Sequence, residues 1–317
     1  MDIILDPLDK AFLTPLVYPS WVPENNPIRQ LISLWVFTTV GGILLVMIPD
    51  AINYFFFFDH RIMQHKRFLP NQVKQEIMYS LWAIPYMTFL TCVMFVMELH
   101  GFGQLYTNVH DHPWGWWLIV LTVPNFLFFT DFGIYWIHRW LHHPFFYGRF
   151  HKPHHKWIIC TPFASHAFHP IDGFAQSFPY HLYPFIFPLN KYLYLGLFIF
   201  VNLWTVSIHD GIYMVPDFLK PFINGSAHHT DHHADFNYNY GQYFTLWDRI
   251  GGSFKEPSGF QPGKSIYDQL DRQLNGGDIS DDPFYGIDPD DLEDYAKKHN
   301  IKVTSAEIEE LKKKKCD

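Results

Sequence analysis

The stretch LISLWVFTTVGGILLVMIP, residues 31–49, is 19 residues long and contains no charged side chain. A helix needs about 17 to 25 predominantly apolar residues to cross the hydrocarbon core of a bilayer. The stretch has both the length and the composition of a membrane-spanning helix. It predicts that the chain is a membrane protein whose first span is residues 31–49.

Two further uncharged runs follow, at residues 77–97 and 113–130. Pro85 interrupts the first of them, and membrane helices tolerate proline where neighbouring groups satisfy the freed carbonyl. The second run begins with Trp114, Trp116 and Trp117, a cluster typical of the membrane interface. The alternative is a soluble protein with buried core helices, but soluble cores seldom contain three charge-free runs of this length. We therefore predict three transmembrane helices.

Residues 175–208 form a fourth apolar region, interrupted by Pro179, Pro184, Pro188 and Lys191. Each half is short for a span, so two crossings and a re-entrant hairpin are both consistent with the sequence. Either arrangement leaves the rest of the chain on one side of the membrane. The predicted fold class is all-α, a multi-pass transmembrane helical bundle.

Whole-chain composition agrees with the membrane class. Of the 317 residues, 48% are hydrophobic and only 17% are charged, whereas soluble domains have roughly 25% charged residues. The formal net charge is −8, which argues against nucleic acid as a main partner because nucleic-acid-binding domains have a basic surface.

The distribution of basic residues predicts the orientation. The loop between the first two runs contains Arg61, Lys66, Arg67 and Lys74, whereas residues 98–113 contain neither Lys nor Arg. The positive-inside rule places the basic loop in the cytosol. Residues 1–30 are then lumenal, and the third span returns to the cytosol just before His138. The histidine-rich segments and the C-terminus are predicted to be cytosolic.

Histidine is also over-represented. The chain contains 20 histidines, and six of them lie within residues 138–155. His138 and His142, in HRWLHH, are four residues apart, so a helix would place both imidazoles on one face. His143 is an adjacent alternative to His142. Chance alone would put about one histidine in a segment of this length, so the cluster predicts a metal site.

Two more histidine-rich segments, HKPHH and HHTDHH, each contain a pair of histidines separated by two residues. Their members are His151, His154, His155, His228, His229, His232 and His233. Together with HRWLHH they supply enough imidazoles for two metal ions with open coordination positions. We predict that they form a histidine-rich di-metal cap on the cytosolic side of the bundle. Imidazole suits iron, zinc and copper, so the ligand type does not identify the metal. A loose metal-buffering tract is the alternative, but such tracts lack a repeated spacing.

Asp131 lies on the same helical stripe as His138, two turns deeper in the predicted span. Ionisable residues inside a membrane are costly and are usually functional. We expect Asp131 to accept a hydrogen bond from the outer ring nitrogen of a ligating histidine. Asp231 and Asp235 are candidates for the same role or for additional ligands. His166, His169 and His209 remain open as extra donors that could complete the coordination of two metals.

From residue 138 to 254 the chain contains HRWLHH, HKPHH, TPFASHAFHPIDGF, FINGSAHHTDHH and YNYGQYFTLWDRIGGSF. These blocks closely resemble those of the delta-7 sterol C-5 desaturases, which are members of the fatty acid hydroxylase superfamily. The histidine boxes alone indicate only the superfamily, and the long flanking blocks indicate this member. The resemblance covers about residues 10 to 260 and does not extend to the acidic tail.

The resemblance implies an oxidoreductase that converts a delta-7 sterol such as lathosterol from the bilayer into the 5,7-diene, 7-dehydrocholesterol. It implies two iron ions, dioxygen, and electrons from NAD(P)H delivered through cytochrome b5 and its reductase. The implied ligands are the ten histidines of the three boxes, and which of the adjacent histidines in each pair binds metal stays open. His169 and His209 are kept as further donors on the sequence argument above. A hydroxylase of the same superfamily, acting on a sterol methyl, an alkyl glycerol or a fatty acyl chain, is the nearest alternative. A membrane metal transporter or buffer is a more distant one. A transport pathway needs ionisable residues along the spans, whereas only Asp50, Glu98, Asp131 and Lys191 lie in or beside a span and the histidines collect at one face.

The basic residues of the predicted cytosolic loops suit an acidic redox partner, although each of them is equally explained by membrane topology. They are Arg61, Lys66, Arg67, Lys74, Arg139, Arg149, Lys152 and Lys156.

The predicted domain organisation has three parts. Residues 1–30 form the lumenal N-terminal segment, residues 31–254 the transmembrane catalytic domain, and residues 255–317 a polar tail with 10 basic and 15 acidic residues. Thr304 and Glu307 have the spacing of a capping box, which predicts one short helix at 305–314. Lys314 and Lys315 resemble a dilysine signal for retrieval to the endoplasmic reticulum, although a lysine run at a terminus is also typical of a solvated tail.

Overall fold

The computed structural model describes residues 2–213, 215–261 and 263–275, together with Lys297, Thr304 and Glu309. The predicted tail helix, apart from Glu309, and the pair Lys314 and Lys315 lie outside these residues. The helices of the described part are α1 (Asp2–Leu8), α2 (Pro27–Phe56), α3 (Gln72–Leu99), α4 (Trp116–Leu141), α5 (Pro144–Phe146), α6 (Pro170–Ile186), α7 (Lys191–Ile208), α8 (Ser226–Asp235), α9 (Leu246–Gly251) and α10 (Ile266–Leu274). Two short strands, β1 (Leu105–Tyr106) and β2 (Leu189–Asn190), pair in parallel.

Four helices within the described residues are long and apolar enough to cross a membrane, namely α2, α3, α4 and α7. The first three coincide with the predicted spans, so the predicted class of a multi-pass helical bundle is confirmed. The helices are longer than the charge-free runs that predicted them. The helix α2 begins at Pro27, where the Asn26 side chain accepts hydrogen bonds from the N–H groups of Ile28 and Arg29. An asparagine cap followed by proline is a strong helix start.

The helices α6 and α7 form a hairpin that runs the length of the bundle. The strand pairing of Leu105 with Leu189 places their connection beside the loop that follows α3. The other ends of both helices lie by the histidine clusters, where Asp172 of α6 contacts His151 and His209 directly follows α7. The 17 residues of α6 span about 25 Å at 1.5 Å per residue. The hairpin therefore reaches both ends of the bundle, and α7 is the one of its two helices that is long and apolar enough to cross a membrane.

The bundle has two distinct ends, which we name the histidine end and the opposite end. The N-terminal segment packs at the opposite end, where Arg29 forms an ion pair with Asp9 at 2.5 Å and Lys191 forms one with Asp2. At the histidine end, Asn53 near the end of α2 donates a hydrogen bond to Asp210 at 3.0 Å. These contacts attach the loops at each end of the bundle to the helix termini.

Close helix packing fixes the positions of α4 and α6. A Cβ atom added to Gly133 would lie 2.7 Å from Cγ of Pro179, so only glycine allows α4 to approach α6 this closely. The core between these helices is aromatic, with Phe126 buried against Tyr180 and Tyr183. Tight packing of α4 against α6 matters for the site, because these two helices carry His138 and Asp172.

The outer face of α2 is apolar and exposed. Val36, Val40, Leu44 and Ile48 are four residues apart, and each has more than half of its surface exposed. A stripe of large exposed aliphatic side chains on a long helix is typical of contact with lipid. This surface is where a bilayer would surround the bundle.

Candidate metal centre

Nine histidines at the histidine end form two groups, and within each group the ring nitrogens that could bind a metal lie within 4.8 Å of one another. The first cluster contains five buried histidines: His138, His142, His151, His155 and His232. The second cluster contains four: His154, His209, His229 and His233. All nine are among the candidate ligands identified in the sequence.

The local structure assigns neighbouring histidines to different clusters. The helix α8 presents His229 and His233, four residues apart, to the second cluster, while His232 points to the first. The adjacent residues His154 and His155 are divided in the same way. Residues next to each other in a helix or tight turn point in different directions, so one short segment contributes to both sites.

Hydrogen bonds fix the tautomers of the first cluster. The Nδ1 atoms of His138 and His232 lie 2.9 and 2.8 Å from the backbone carbonyl oxygens of Tyr240 and Tyr238. A carbonyl oxygen only accepts, so each Nδ1 must carry the hydrogen and each Nε2 carries a lone pair. The Nδ1 atom of His151 likewise lies 2.8 Å from Oδ2 of Asp172. Three Nε2 atoms therefore present lone pairs to the centre of the cluster.

These lone pairs lie close together. Nε2 of His151 is 3.1 Å from Nε2 of both His138 and His155, and Nε2 of His209 in the second cluster is 2.9 Å from Nε2 of His229. Two facing lone pairs repel each other unless a cation lies between them. Metal–nitrogen bonds of about 2.0–2.1 Å place neighbouring ligand nitrogens roughly 3 Å apart. The geometry of both clusters therefore fits a bound metal ion.

Burial keeps these imidazoles neutral. Desolvation lowers the pKa of His209 to about 3 and lowers the pKa values of His154 and His155 well below the usual 6.5. The same cause lowers the pKa values of His229 and His233 well below that value. A metal binds the neutral imidazole, so the environment holds these side chains in the binding form.

A cavity of about 370 Å³ lies between α2, α3, α6 and α7. Its wall is mainly apolar, with residues such as Leu34, Ile84 and Phe198. Gly41 and Ile199 line the cavity and are also exposed on the outer surface of the bundle. The cavity thus reaches the lipid-facing surface between α2 and α7. Its volume is within the range of about 300–1,000 Å³ usual for small-molecule sites.

The inner end of the cavity adjoins both histidine clusters. Gln176 lines the cavity and donates a hydrogen bond of 2.8 Å to Asp172, the partner of His151. Thr205 also lines it, and its backbone carbonyl lies 2.7 Å from Nδ1 of His209. The cavity wall is therefore connected to a histidine of each cluster: to His151 through Gln176 and Asp172, and to His209 directly through Thr205.

Comparison with known proteins identifies the family. The fatty acid hydroxylase family profile matches residues 123–253. Lathosterol oxidase of Mus musculus is 57% identical over 261 residues, covering 82% of this chain and 87% of that protein. Lathosterol oxidase of Homo sapiens has the same identity and coverage. Delta(7)-sterol 5(6)-desaturase of Eremothecium gossypii is 49% identical over 269 residues, covering 83% of this chain and 76% of that protein.

The chain belongs to the sterol desaturases of the fatty acid hydroxylase family. The predicted resemblance and the predicted oxidoreductase class are thereby confirmed. No solved structure matches the chain. The family profile spans α4, α6, α7, α8 and α9, the part of this sterol desaturase that holds both histidine clusters.

Three candidate ligands lie outside the two clusters of this sterol desaturase. His143 is exposed and caps α5, with its Nδ1 accepting from the N–H of Phe145 at 3.3 Å. His169 caps α6 in the same way, accepting from Ile171 at 3.2 Å. His228 is buried, and its Nδ1 accepts from the N–H of Gly225 at 3.3 Å. Each of these rings uses one nitrogen to complete backbone hydrogen bonding at a helix start.

His166, which the sequence left open, also lies outside the clusters. Its Nδ1 is 2.8 Å from the Ser165 hydroxyl, and its Nε2 is 3.0 Å from Oδ1 of Asn202. His209, the other open candidate, is part of the second cluster. His166 instead lines the cavity.

Asp131 has a different partner from the one expected. Its carboxylate accepts hydrogen bonds from the backbone N–H groups of Gln242, Tyr243 and Phe244, at 2.9, 2.7 and 3.3 Å. A carboxylate can satisfy several backbone donors of one turn, and here it orders the segment that begins at Tyr240. The Tyr240 carbonyl contacts His138, so a short stretch of backbone connects Asp131 to the histidines.

The other candidate carboxylates also hold loops. Asp231 accepts from the N–H of Ser258 at 2.7 Å, and Asp235 forms an ion pair with Lys255. Both contacts fasten the segment after residue 254 to α8. Burial is the main cause that raises the pKa of Asp231, to about 6.

Asp172 is a residue of the site that was not among the candidates predicted from the sequence. It is fully buried and is the carboxylate in hydrogen-bond contact with a clustered histidine within the described residues. The available signal was an acidic residue in the first turn of an otherwise apolar helix, within HPIDGF. Such a residue is costly to bury and indicates a function.

Proposed function

We propose that this chain is a di-iron sterol C-5 desaturase that converts a delta-7 sterol, such as lathosterol, into the 5,7-diene. The observation that carries the proposal is the meeting of two all-imidazole clusters with the inner end of an apolar cavity open to the membrane surface. The names of the relatives support the substrate class, since they are lathosterol oxidases and Delta(7)-sterol 5(6)-desaturases.

The proposed iron ligands are the nine histidines of the two clusters. Iron, when bound, supplies the dioxygen chemistry that oxidation of an unactivated carbon requires. The remaining candidates, His143, His169 and His228, are proposed to have structural roles because each one caps a helix or a helix start. Asp131 and Asp172 are proposed as positioning residues for the ligands.

The protein's own contributions follow from its contacts. Asp172 and the carbonyls of Tyr238 and Tyr240 hold three imidazoles in one tautomer, which fixes the direction of each lone pair. The apolar cavity wall excludes water from the reacting region and holds an elongated, rigid substrate against the clusters. Overall, the sterol loses two hydrogens, and these, with two electrons and two further protons, reduce dioxygen to two molecules of water.

Electrons are proposed to come from NAD(P)H through cytochrome b5 and its reductase. The basic side chains at the histidine end suit an acidic partner. Arg139 is partly committed elsewhere, because it donates to the Tyr135 hydroxyl at 2.8 Å and to the Gly251 carbonyl at 2.6 Å. The exposed members of the predicted set are Arg61, Lys66, Lys74, Arg149 and Lys156.

We place the protein in the endoplasmic reticulum membrane with the histidine end and the C-terminus in the cytosol. The basic residues of the loop between α2 and α3 support that orientation. A cytosolic location also brings the metal centre to the compartment that supplies reduced nicotinamide cofactor.

The proposal is tested by expressing the chain in cells that lack sterol C-5 desaturase and supplying lathosterol. The expected product is lighter than the substrate by two hydrogens and absorbs in the ultraviolet as a conjugated diene. A double variant, His154→Ala with His155→Ala, is the matched control and should give no product. A product heavier by one oxygen would identify a hydroxylase instead, and unchanged diene formation in the double variant would refute the assignment of the clusters.

A further inference from the structure

The cavity has two polar regions, one at each end. Within its mainly apolar wall, Thr91 and His181 lie toward the opposite end, and their side chains contact each other at 3.3 Å. His166, Asn202 and Thr205 lie at the inner end, beside the clusters. A sterol with a single hydroxyl would place that group at one of these regions, so the two ends define two orientations.

Reaction chemistry selects the inner end. In a delta-7 sterol, C-5 lies two bonds from C-3, the carbon that carries the hydroxyl. The carbon that reacts must approach the metal centre, so the hydroxyl must lie within a few Å of the clusters as well. The polar region at Thr91 and His181 is too far along the cavity. On α7 alone, the lining residues extend from Thr205 back to Leu195, about 15 Å at 1.5 Å per residue.

Asn202 is held in one orientation at the inner end. Its Nδ2 donates to the Phe198 carbonyl at 2.6 Å, and its Oδ1 lies 3.0 Å from Nε2 of His166. Because a carbonyl only accepts, the amide cannot be flipped, and His166 must donate from Nε2. His166 is fixed in turn by Ser165 at 2.8 Å, which contacts Asp50 at 3.0 Å. These contacts use one of the two N–H groups of Asn202.

Gln242 provides the complementary group one helical turn away. Its Nε2 donates to Oγ1 of Thr205 at 3.1 Å, and Thr205 is three residues from Asn202 on the same face of α7. Both Asn202 and Gln242 line the cavity. A hydroxyl group is both a donor and an acceptor, so an amide N–H from Asn202 and the amide oxygen of Gln242 match its two requirements.

On this basis, and resting on the proposed function, we propose that Asn202 and Gln242 bind the 3-hydroxyl of the sterol. The sterol therefore lies with its hydroxyl-bearing ring at the histidine end and its aliphatic side chain toward Thr91 and His181. The pair acts as a specificity determinant for a free hydroxyl. His166, Ser165 and Asp50 are positioning residues behind Asn202.

The test compares two substrates, a delta-7 sterol with a free 3-hydroxyl and its 3-methyl ether, in the full-length protein in membranes. The wild type should convert the free sterol with a kcat/KM well above that for the ether, because the ether cannot donate to Gln242. Asn202→Leu and Gln242→Met should each lower kcat/KM for the free sterol about tenfold, as expected for one lost hydrogen bond. Gln242→Met should leave kcat/KM for the ether nearly unchanged, so the substrate ratio should collapse in this variant. Asn202→Leu should lower kcat/KM for both substrates, because the ether oxygen still accepts from the Asn202 amide.

Thr91→Val is the matched control, since it removes a polar group from the other end of the cavity and should leave the substrate ratio unchanged. Iron content, measured for every variant, separates loss of folding from loss of recognition. A collapsed ratio in Thr91→Val but not in Gln242→Met would reverse the orientation and overturn the proposal. An unchanged ratio in all variants would also overturn it. Failure of the wild type to convert either sterol would instead refute the proposed function.

Discussion

The two histidine clusters lie side by side but are supported differently. In the first cluster, the outer nitrogen of His151 contacts a buried carboxylate, Asp172, and two more rings contact backbone carbonyls. In the second cluster, one ring of four has such a contact, that of His209 with the carbonyl of Thr205 at 2.7 Å. Nδ1 of His154 has no hydrogen-bond partner among the described residues, and the same holds for Nδ1 of His155 in the first cluster. The first cluster is therefore the more rigidly oriented of the two.

The clusters also differ in accessibility. All five histidines of the first cluster are buried, whereas His229 of the second is only half-buried. A small cavity of about 10 Å³ lies behind the second cluster, between His209 and Ile266 of α10, which is room for about one water molecule. Two sites built from the same residue type are therefore expected to differ in metal affinity and in the rate of metal exchange. A fixed ligand orientation favours tight binding, and access to water favours release.

The largest expected effect comes from splitting the adjacent pair His154 and His155. His155→Ala removes a ligand of the first cluster, and His154→Ala removes one of the second. Each variant should lose diene formation and should retain metal at the other cluster, because the ligands of that cluster are intact. Metal content by elemental analysis, with Mössbauer spectra of iron-57-loaded protein, measures both effects.

His143→Ala is the matched control for this pair, because His143 is exposed and outside both clusters. It should retain both metals. Equal loss of metal from both clusters in each single variant would show that the clusters are one cooperative site and not two.

Asp172→Asn should weaken the first cluster selectively. The substitution keeps the size of the side chain but removes the negative charge behind His151, and loss of such a partner costs roughly 10–100-fold in metal affinity. Competition against a chelator of known affinity measures the change. Asp9→Asn, a buried carboxylate at the opposite end, provides the control and should leave metal affinity unchanged. If Asp172→Asn binds both metals as the wild type does, the difference in support between the clusters has no energetic consequence.

The sequence predicted the elements whose signal is local. Charge-free runs identified α2, α3 and α4, and the histidine boxes contained eight of the nine clustered residues, with His209 an open candidate. The helix α6 was harder, since Pro179 and Pro184 lie inside it. Proline is tolerated there because neighbouring helices in the bundle satisfy the freed groups, and this depends on packing that the sequence does not show.

The contacts that could not be predicted join distant parts of the chain. Asp172 meets His151 from 21 residues away, and Asp131 meets the N–H of Gln242 from 111 residues away. The division of His154 and His155 between two clusters depends on the backbone of a turn, for which helical spacing gives no rule. Spacing therefore predicts which histidines come together more readily than it predicts their hydrogen-bond partners.

Substitution at the mouth of the cavity should separate metal effects from substrate effects. Gly41 lines the cavity and is exposed, and a Cβ atom added there meets no atom within 4 Å. Gly41→Trp should lower kcat/KM for the sterol several-fold by covering the entrance, and both clusters should keep their metal. Gly196→Trp is the control, because Gly196 is an exposed glycine of α7 that also has open space around it. Equal activity in the two variants would show that the sterol enters elsewhere.

The smallest expected effect is a difference in the rate of metal loss. A chelator added to the loaded protein should remove metal in two phases that differ a few-fold in rate, with the second cluster emptied first because His229 is half-buried and a small cavity adjoins it. His154→Ala should lack the fast phase and His155→Ala the slow one, so the two variants assign the phases independently of any spectrum. A single phase in the wild type would show that one opening motion exposes both clusters, and the difference in burial would then have no kinetic role. If the first cluster emptied first, the metal would leave through the large apolar cavity and not through the water-facing side of the second cluster.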